Sequence, residues 1–92
     1  MIRTFRDKDT EKVFLRQFSR RFQAVAGVAK RKLDHLNAAT PLMDLAAIPG
    51  NQLEALRGDR AGQHSIRIND QFRICFRWKD GDAYEVEITD YH

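Results

Sequence analysis

The chain has 92 residues and a mass of 10.7 kDa, enough for one small domain spanning residues 1–92 and no second. With 42% hydrophobic and 32% charged residues and a net charge of +3, it composes as a globular chain with a modest core rather than a disordered one. Its longest apolar stretch, Ala24 to Ala29, falls far short of the ~20 residues of a membrane span; no hydrophobic leader opens it, and the lone Cys75 makes no internal disulfide, so the expected compartment is the cytoplasm.

Ile2-Arg3-Thr4-Phe5-Arg6 alternates apolar and polar, which predicts a short edge strand. Asp9 or Thr10 can cap a following helix whose apolar positions are Val13, Phe14 and Phe18. A second helix is expected over about residues 23–38. Its core face would be Val25, Val28, Ala29, Leu33 and Leu36, with Lys30, Arg31 and Asp34 turned outward. Thr40-Pro41 supplies a cap and first-turn proline for a short helix ending near Ala47, and Ile48-Pro49-Gly50-Asn51 is a breaker cluster.

Beyond the breaker the period changes to two. Ile66 and Ile68, then Phe72, Ile74, Phe76 and Trp78, then Tyr84, Val86 and Ile88 predict three strands. Helices followed by an antiparallel meander make an α+β fold, with N-terminal helices packed on one face of a mainly antiparallel sheet.

Side-chain parity sets the register. An odd loop at Asn69-Asp70-Gln71 pairs Ile68 with Phe72 and Ile66 with Ile74, which places Arg67 opposite Arg73 on the polar face. Like charges so placed destabilise a sheet by a few tenths to about 1 kcal/mol unless an anion lies between them. In the next hairpin, pairing Trp78 with Tyr84 opposes Ile74 to Ile88 and Arg73 to Thr89. It also sets Tyr91 diagonal to Arg73 and makes Arg77–Glu85 a structural ion pair.

Charge is unevenly spread. Residues 1–46 hold ten basic and five acidic side chains, and residues 47–92 hold six and eight. Such asymmetry fits a basic face for a polyanion or ordinary solvated charge. No CxxC, HExxH, GxGxxG, Walker loop or GxSxG is present, so no metal or cofactor is expected, and a mid-strand cysteine reads as packing. There remains a cluster of Arg67, Arg73, Tyr91 and His92, with Arg57 and Arg60 near in sequence. Metal-independent RNA cleavage needs a base for the 2′-OH, an acid for the leaving oxygen, cations for the phosphorane and a held strand. Histidine and arginine suit these tasks, whereas an exposed histidine and arginines covering a bare sheet is the plain alternative.

The run Leu53 to Phe76, with Leu56-Arg57-Gly58-Asp59-Arg60, Ser65-Ile66-Arg67-Ile68-Asn69 and Gln71-Phe72-Arg73-Ile74, resembles the HigB group of the RelE/ParE toxin superfamily, with Phe72 at a usual tryptophan. The ending Asp90-Tyr91-His92 matches that group's "DYH". The resemblance implies a RelE-like, microbial RNase-like fold and a type II toxin that cleaves mRNA in the ribosomal A site of the 70S ribosome. It further implies a HigA-like helix-turn-helix antitoxin, through which alone operator DNA is reached. By the same resemblance Arg73 stabilises the scissile phosphate, while Asp90, Tyr91 and His92 form the catalytic run. His92 would transfer the proton, Asp90 support it and Tyr91 contact the substrate. Arg57, Arg60 and Arg67 would position RNA. Glu54 stands where some relatives carry an active-site histidine, and it is expected to hold Arg57. The alternatives are a ParE-like gyrase poison and a non-catalytic RNA- or protein-binding module.

Overall fold

Asp7, not Asp9 or Thr10, starts the first helix. Its carboxylate accepts the Thr10 backbone N–H at 2.7 Å and the Thr10 hydroxyl at 3.0 Å, capping α1 (Lys8–Phe14). The computed structural model describes residues 1–90, so the expectations for Tyr91 and His92 lie outside the described residues. Helix α1 stops early because Arg16 adopts φ 61°, and the Arg16 and Gln17 N–H groups bond back to the Val13 and Lys12 carbonyls. Phe18 therefore falls beyond the helix and is 70% exposed instead of joining the core.

A 3₁₀ turn (Gln23–Val25) leads into α2 (Ala26–Ala38), which buries Ala29, Leu33 and Leu36 on the sheet. Val28, expected on that face, is exposed, and Lys32 takes a buried place instead. The short α3 (Met43–Ala46) ends about where expected. It is entered through Leu42, however, and the Thr40 N–H is held by the Asp44 carboxylate at 3.2 Å.

Strands β1 (Glu54–Ala55), β2 (Gln63–Arg67), β3 (Phe72–Lys79) and β4 (Asp82–Asp90) form an antiparallel sheet in chain order. Ile66 faces Ile74, Arg67 faces Arg73, Ile74 faces Ile88 and Arg73 faces Thr89, as parity requires. The β3–β4 hairpin departs near its tip: Trp78 faces Ala83 and Arg77 faces Tyr84. Asp80 and Gly81 both take positive φ, 51° and 81°, in a two-residue turn that fixes Lys79 opposite Asp82. That register is one residue out of step with Ile74 opposite Ile88. A bulge absorbs the difference where Glu85, at φ 52°, and Val86 lie opposite Phe76. Tyr84 is thereby turned off the core face, while Arg77 and Glu85 still meet at 2.6 Å.

Residues 2–6 make no regular strand. Ile2 and Phe5 form parallel bridges to Ala83 and Val86, which occupies the free edge of β4. The helices and this segment enclose Val13, Phe22, Leu33, Leu36, Leu45, Ile66, Ile74, Phe76, Val86 and Ile88 against one sheet face. Burying each such side chain contributes about 1.5–3 kcal/mol, so this layer dominates the stability. No helix of the described residues is long and apolar enough to cross a membrane.

Lys32 is the charged member of this interior, 8% exposed. Its ammonium donates to the Asn51 side-chain oxygen at 2.5 Å, and burial, with help from the Arg31 and Arg67 charges, pushes its pKa below the usual lysine value. The folded state then binds fewer protons than the unfolded state as pH climbs toward the ordinary lysine value of 10.5, so stability from this group rises with pH there. Urea unfolding of the wild-type chain and Lys32→Met between pH 8 and 10 should show the wild type gaining on the variant as pH rises; a constant difference contradicts a depressed Lys32.

Candidate functional site

Odd-numbered positions of β2 and β3 turn away from the helices. Across all four strands they line up Glu54, Ser65, Cys75 and Glu87 in one row, and Arg67, Arg73 and Thr89 in the next. The middle of this face is covered by its own side chains. Arg60, carried by the 3₁₀ turn Gly58–Arg60, reaches Glu87 at 2.7 Å and the Gln63 side-chain oxygen at 3.0 Å, while Arg6 approaches Glu87 from the other edge at 3.5 Å. Ser65, Cys75 and Gln63 are buried beneath this span.

Arg73 is the best-held member, 7% exposed. One terminal nitrogen lies 3.3 Å from Glu54, and the other donates to the Gln52 carbonyl at 2.9 Å. Gln52 sits at φ 47°, in the left-handed region that non-glycine residues seldom adopt, and this turns its carbonyl toward the guanidinium. Just before it, Asn51 is fully buried. Its side chain accepts from Lys32 and donates to the Leu45 carbonyl at 3.1 Å, and its own carbonyl accepts the Arg67 N–H at 2.6 Å. Asn51 thus fastens α2, the end of α3 and β2 to the segment that aims Arg73.

Glu54 pairs with Arg73, not with Arg57 as the sequence led us to expect. An odd spacing in extended chain turns residues 54 and 57 to opposite sides, and Arg57 stands exposed ahead of the 3₁₀ turn. The Arg67–Arg73 apposition is relieved by separate carboxylates, Asp70 for Arg67 and Glu54 for Arg73. Asp90 lies opposite Phe72, on the other face from Arg73 at the same end of the sheet, and its carboxylate accepts from Gln71 at 3.1 Å. The fold therefore brings Arg67 and Arg73 together, commits Arg60 to Glu87 and leaves Arg57 apart in its loop.

Burial pushes the Cys75 thiol up; the positive charges of Arg60 and Arg73 pull the other way, and Glu87 and Glu54 add to the rise. A protonated, 2%-exposed thiol is a packing group and a poor nucleophile. No three His, Cys, Asp or Glu side chains converge to hold a metal ion among the described residues. Sequence reasoning missed Gln52, Asn51 and Lys32; the breaker run through Asn51 was the one visible signal, and it marked a turn rather than a hub.

A family model described as "RelE-like toxin of type II toxin-antitoxin system HigB" matches residues 3–92. "Toxin HigB-1" of Vibrio cholerae serotype O1 is 45% identical over 58 residues, covering 63% of this chain and 61% of that protein. "Endoribonuclease HigB" of Proteus vulgaris is 31% identical over 98 aligned positions that cover both chains fully. An uncharacterized protein of Haemophilus influenzae is 34% identical over 61 residues, 66% of this chain and 60% of that one. The chain thus spans about three-fifths of the Vibrio and Haemophilus relatives and the whole of the Proteus one.

Replacing the buried amide tests the hub. Asn51→Leu strands the Lys32 ammonium and the Leu45 carbonyl, and should cost about 2–4 kcal/mol in chemical denaturation. A loss within about 0.5 kcal/mol, the range of an ordinary surface change, contradicts the assignment.

Proposed function

The chain belongs to the HigB family of RelE-like toxins of type II toxin–antitoxin systems, and on that premise we propose that it is an endoribonuclease that cleaves mRNA on the 70S ribosome and halts translation. Arg73 carries the reading. It is a nearly buried guanidinium held by a backbone carbonyl and a carboxylate on the face opposite the helices, inside the stretch that resembles the family. Glu54 is 56% exposed, and ion pairs so exposed contribute about 1 kcal/mol or less. A phosphate, which accepts two parallel N–H bonds from arginine, can displace such a partner.

In the proposed reaction the 2′-oxygen attacks the adjacent phosphorus and the bond from phosphorus to the 5′-oxygen breaks. The products are a 2′,3′-cyclic phosphate and a 5′-hydroxyl. Glu54, freed from Arg73, takes the 2′-OH proton, and His92 delivers a proton to the departing oxygen. Asp90 orients His92 and Tyr91 holds the substrate. Arg73 stabilises the charge that develops on phosphorus, while Arg67 and Arg57 position the strand; Arg60, tied to Glu87, contributes field more than contact. No step requires a metal or cofactor. Such a toxin works in the cytoplasm, is restrained by a HigA-like helix-turn-helix antitoxin, and meets operator DNA only through that antitoxin.

Purified protein added to a translation extract should cut messages at ribosome-bound positions, leaving 5′-hydroxyl ends. Arg73→Ala should slow cleavage by about 10²–10³-fold in a variant that is less stable but still unfolds cooperatively, and deletion of His92 should abolish cleavage with the unfolding midpoint preserved. Whole messages in an arrested extract contradict the proposal. Inhibited DNA supercoiling would then indicate a gyrase poison, and arrest that survives both variants a non-catalytic binder.

A further inference from the structure

The bulge at Glu85 turns Tyr84 out of the core and sets it opposite Arg77, on the sheet face that carries Arg73. Tyr84 there borders a cleft lined by Gly62, Arg77, Trp78 and Lys79 as well. Its volume of about 470 Å³ lies within the ~300–1,000 Å³ of small-ligand sites. No ring pair or cation–ring contact among the described residues involves Tyr84, so its phenol ring is uncommitted. The Nε of Arg77 donates to Glu85 at 2.6 Å, which anchors the guanidinium and leaves its terminal nitrogens for other work. Gly62, at φ 90°, makes room for that guanidinium: a Cβ there would lie 3.0 Å from Arg77 Nη1. Lys79 is exposed and has no carboxylate within ion-pair distance among the described residues. Asp82, its neighbour across the turn, is taken by the Met1 amine and Arg3.

An uncommitted aromatic ring beside two cations suits a nucleotide, whose base stacks on the ring while its phosphate meets the charges. An acidic peptide would satisfy the cations without using the face of Tyr84. The neighbours on this face favour a strand over a free nucleotide. Arg73, Cys75 and Arg77 project from the same side of β3, so Arg77 stands about 13 Å from Arg73 at ~3.3 Å per residue. Arg60 lies over the interval, bonded to Gln63, which faces Arg77, and to Glu87, which faces Cys75. A single strand lying on Arg73 passes Arg60 and reaches the cleft within a few nucleotides. We propose that the cleft is a base-stacking subsite for that same RNA strand, with one base on Tyr84 and the adjoining phosphates on Arg77 and Lys79. The inference rests on the reading that places RNA at Arg73 and extends the strand's path to the other end of the sheet.

Trp78 is the one tryptophan of the chain and lines the cleft, so its emission reports occupancy. Titration of the full chain with a 2′-O-methylated RNA of about eight nucleotides, within the usual range of single-strand sites, should quench Trp78 with saturation. Tyr84→Ala should weaken affinity about fivefold or more, and Tyr84→Phe, which keeps the ring, should bind like the wild type. Lys79→Ala, on the surface, should lower the slope of log affinity against log salt by about 0.7 while the unfolding midpoint holds. Trp78 emission that does not change with RNA overturns the proposal, and so does wild-type affinity in both Tyr84→Ala and Lys79→Ala. Oligonucleotide affinity that ignores Tyr84, with 70S ribosome binding alone weakened, also overturns it and marks a contact to ribosomal RNA. Tyr84-dependent binding without message cleavage refutes the nuclease reading and upholds the subsite. Lost affinity in Arg73→Ala alone does the reverse.

Discussion

The buried side chain of Asn51 is the constraint on which the functional face depends. Burying an amide is costly unless each polar atom finds a partner, and here the oxygen takes the Lys32 ammonium while the nitrogen reaches the Leu45 carbonyl. The Asn51 carbonyl then holds the end of β2 through the Arg67 N–H. With its predecessor fixed on three sides, Gln52 is held at positive φ and presents its carbonyl to Arg73. A strained residue at a site persists only where its surroundings over-determine it, and Asn51 supplies that determination.

The two faces of the sheet divide the labour. One carries the apolar rows that α1 and α2 cover and supplies most of the stability. The other gathers guanidinium groups that would repel one another, each placed beside a carboxylate: Arg60 with Glu87, Arg67 with Asp70, Arg73 with Glu54. These pairs differ in what they can release. Glu87 is held from two sides by Arg60 and Arg6, whereas Glu54 has Arg73 as its ion-pair partner and is more than half exposed. An arriving phosphate therefore competes more easily at Arg73 than at Arg60.

Much of this was legible in the sequence because strand parity is strict. Ile66 opposite Ile74 and Arg67 opposite Arg73 follow from keeping the isoleucines on one face, and the resemblance over Leu53–Phe76 pointed to the family independently. Parity failed where two correct local rules conflicted. The Asp80-Gly81 turn and the Ile74–Ile88 pair demand registers one residue apart, and nothing local announced that Glu85 would absorb the difference. The helical layer failed where termination lacked its usual glycine. Arg16 took the left-handed conformation, so Phe18 left the pattern that its spacing suggested. Lys32 and the Glu54–Arg73 pair were hidden because their partners are distant in the chain.

The central claim is that Arg73 is where a phosphodiester binds. Nuclear magnetic resonance of the arginine side-chain nitrogens, during titration with a short RNA whose 2′-oxygens are methylated to prevent attack, reads that contact directly. The account predicts that the Arg73 guanidinium signals move with saturation while those of Arg16 and Arg31 stay put. Saturation that shifts the helical-layer arginines and leaves Arg73 unmoved would contradict it.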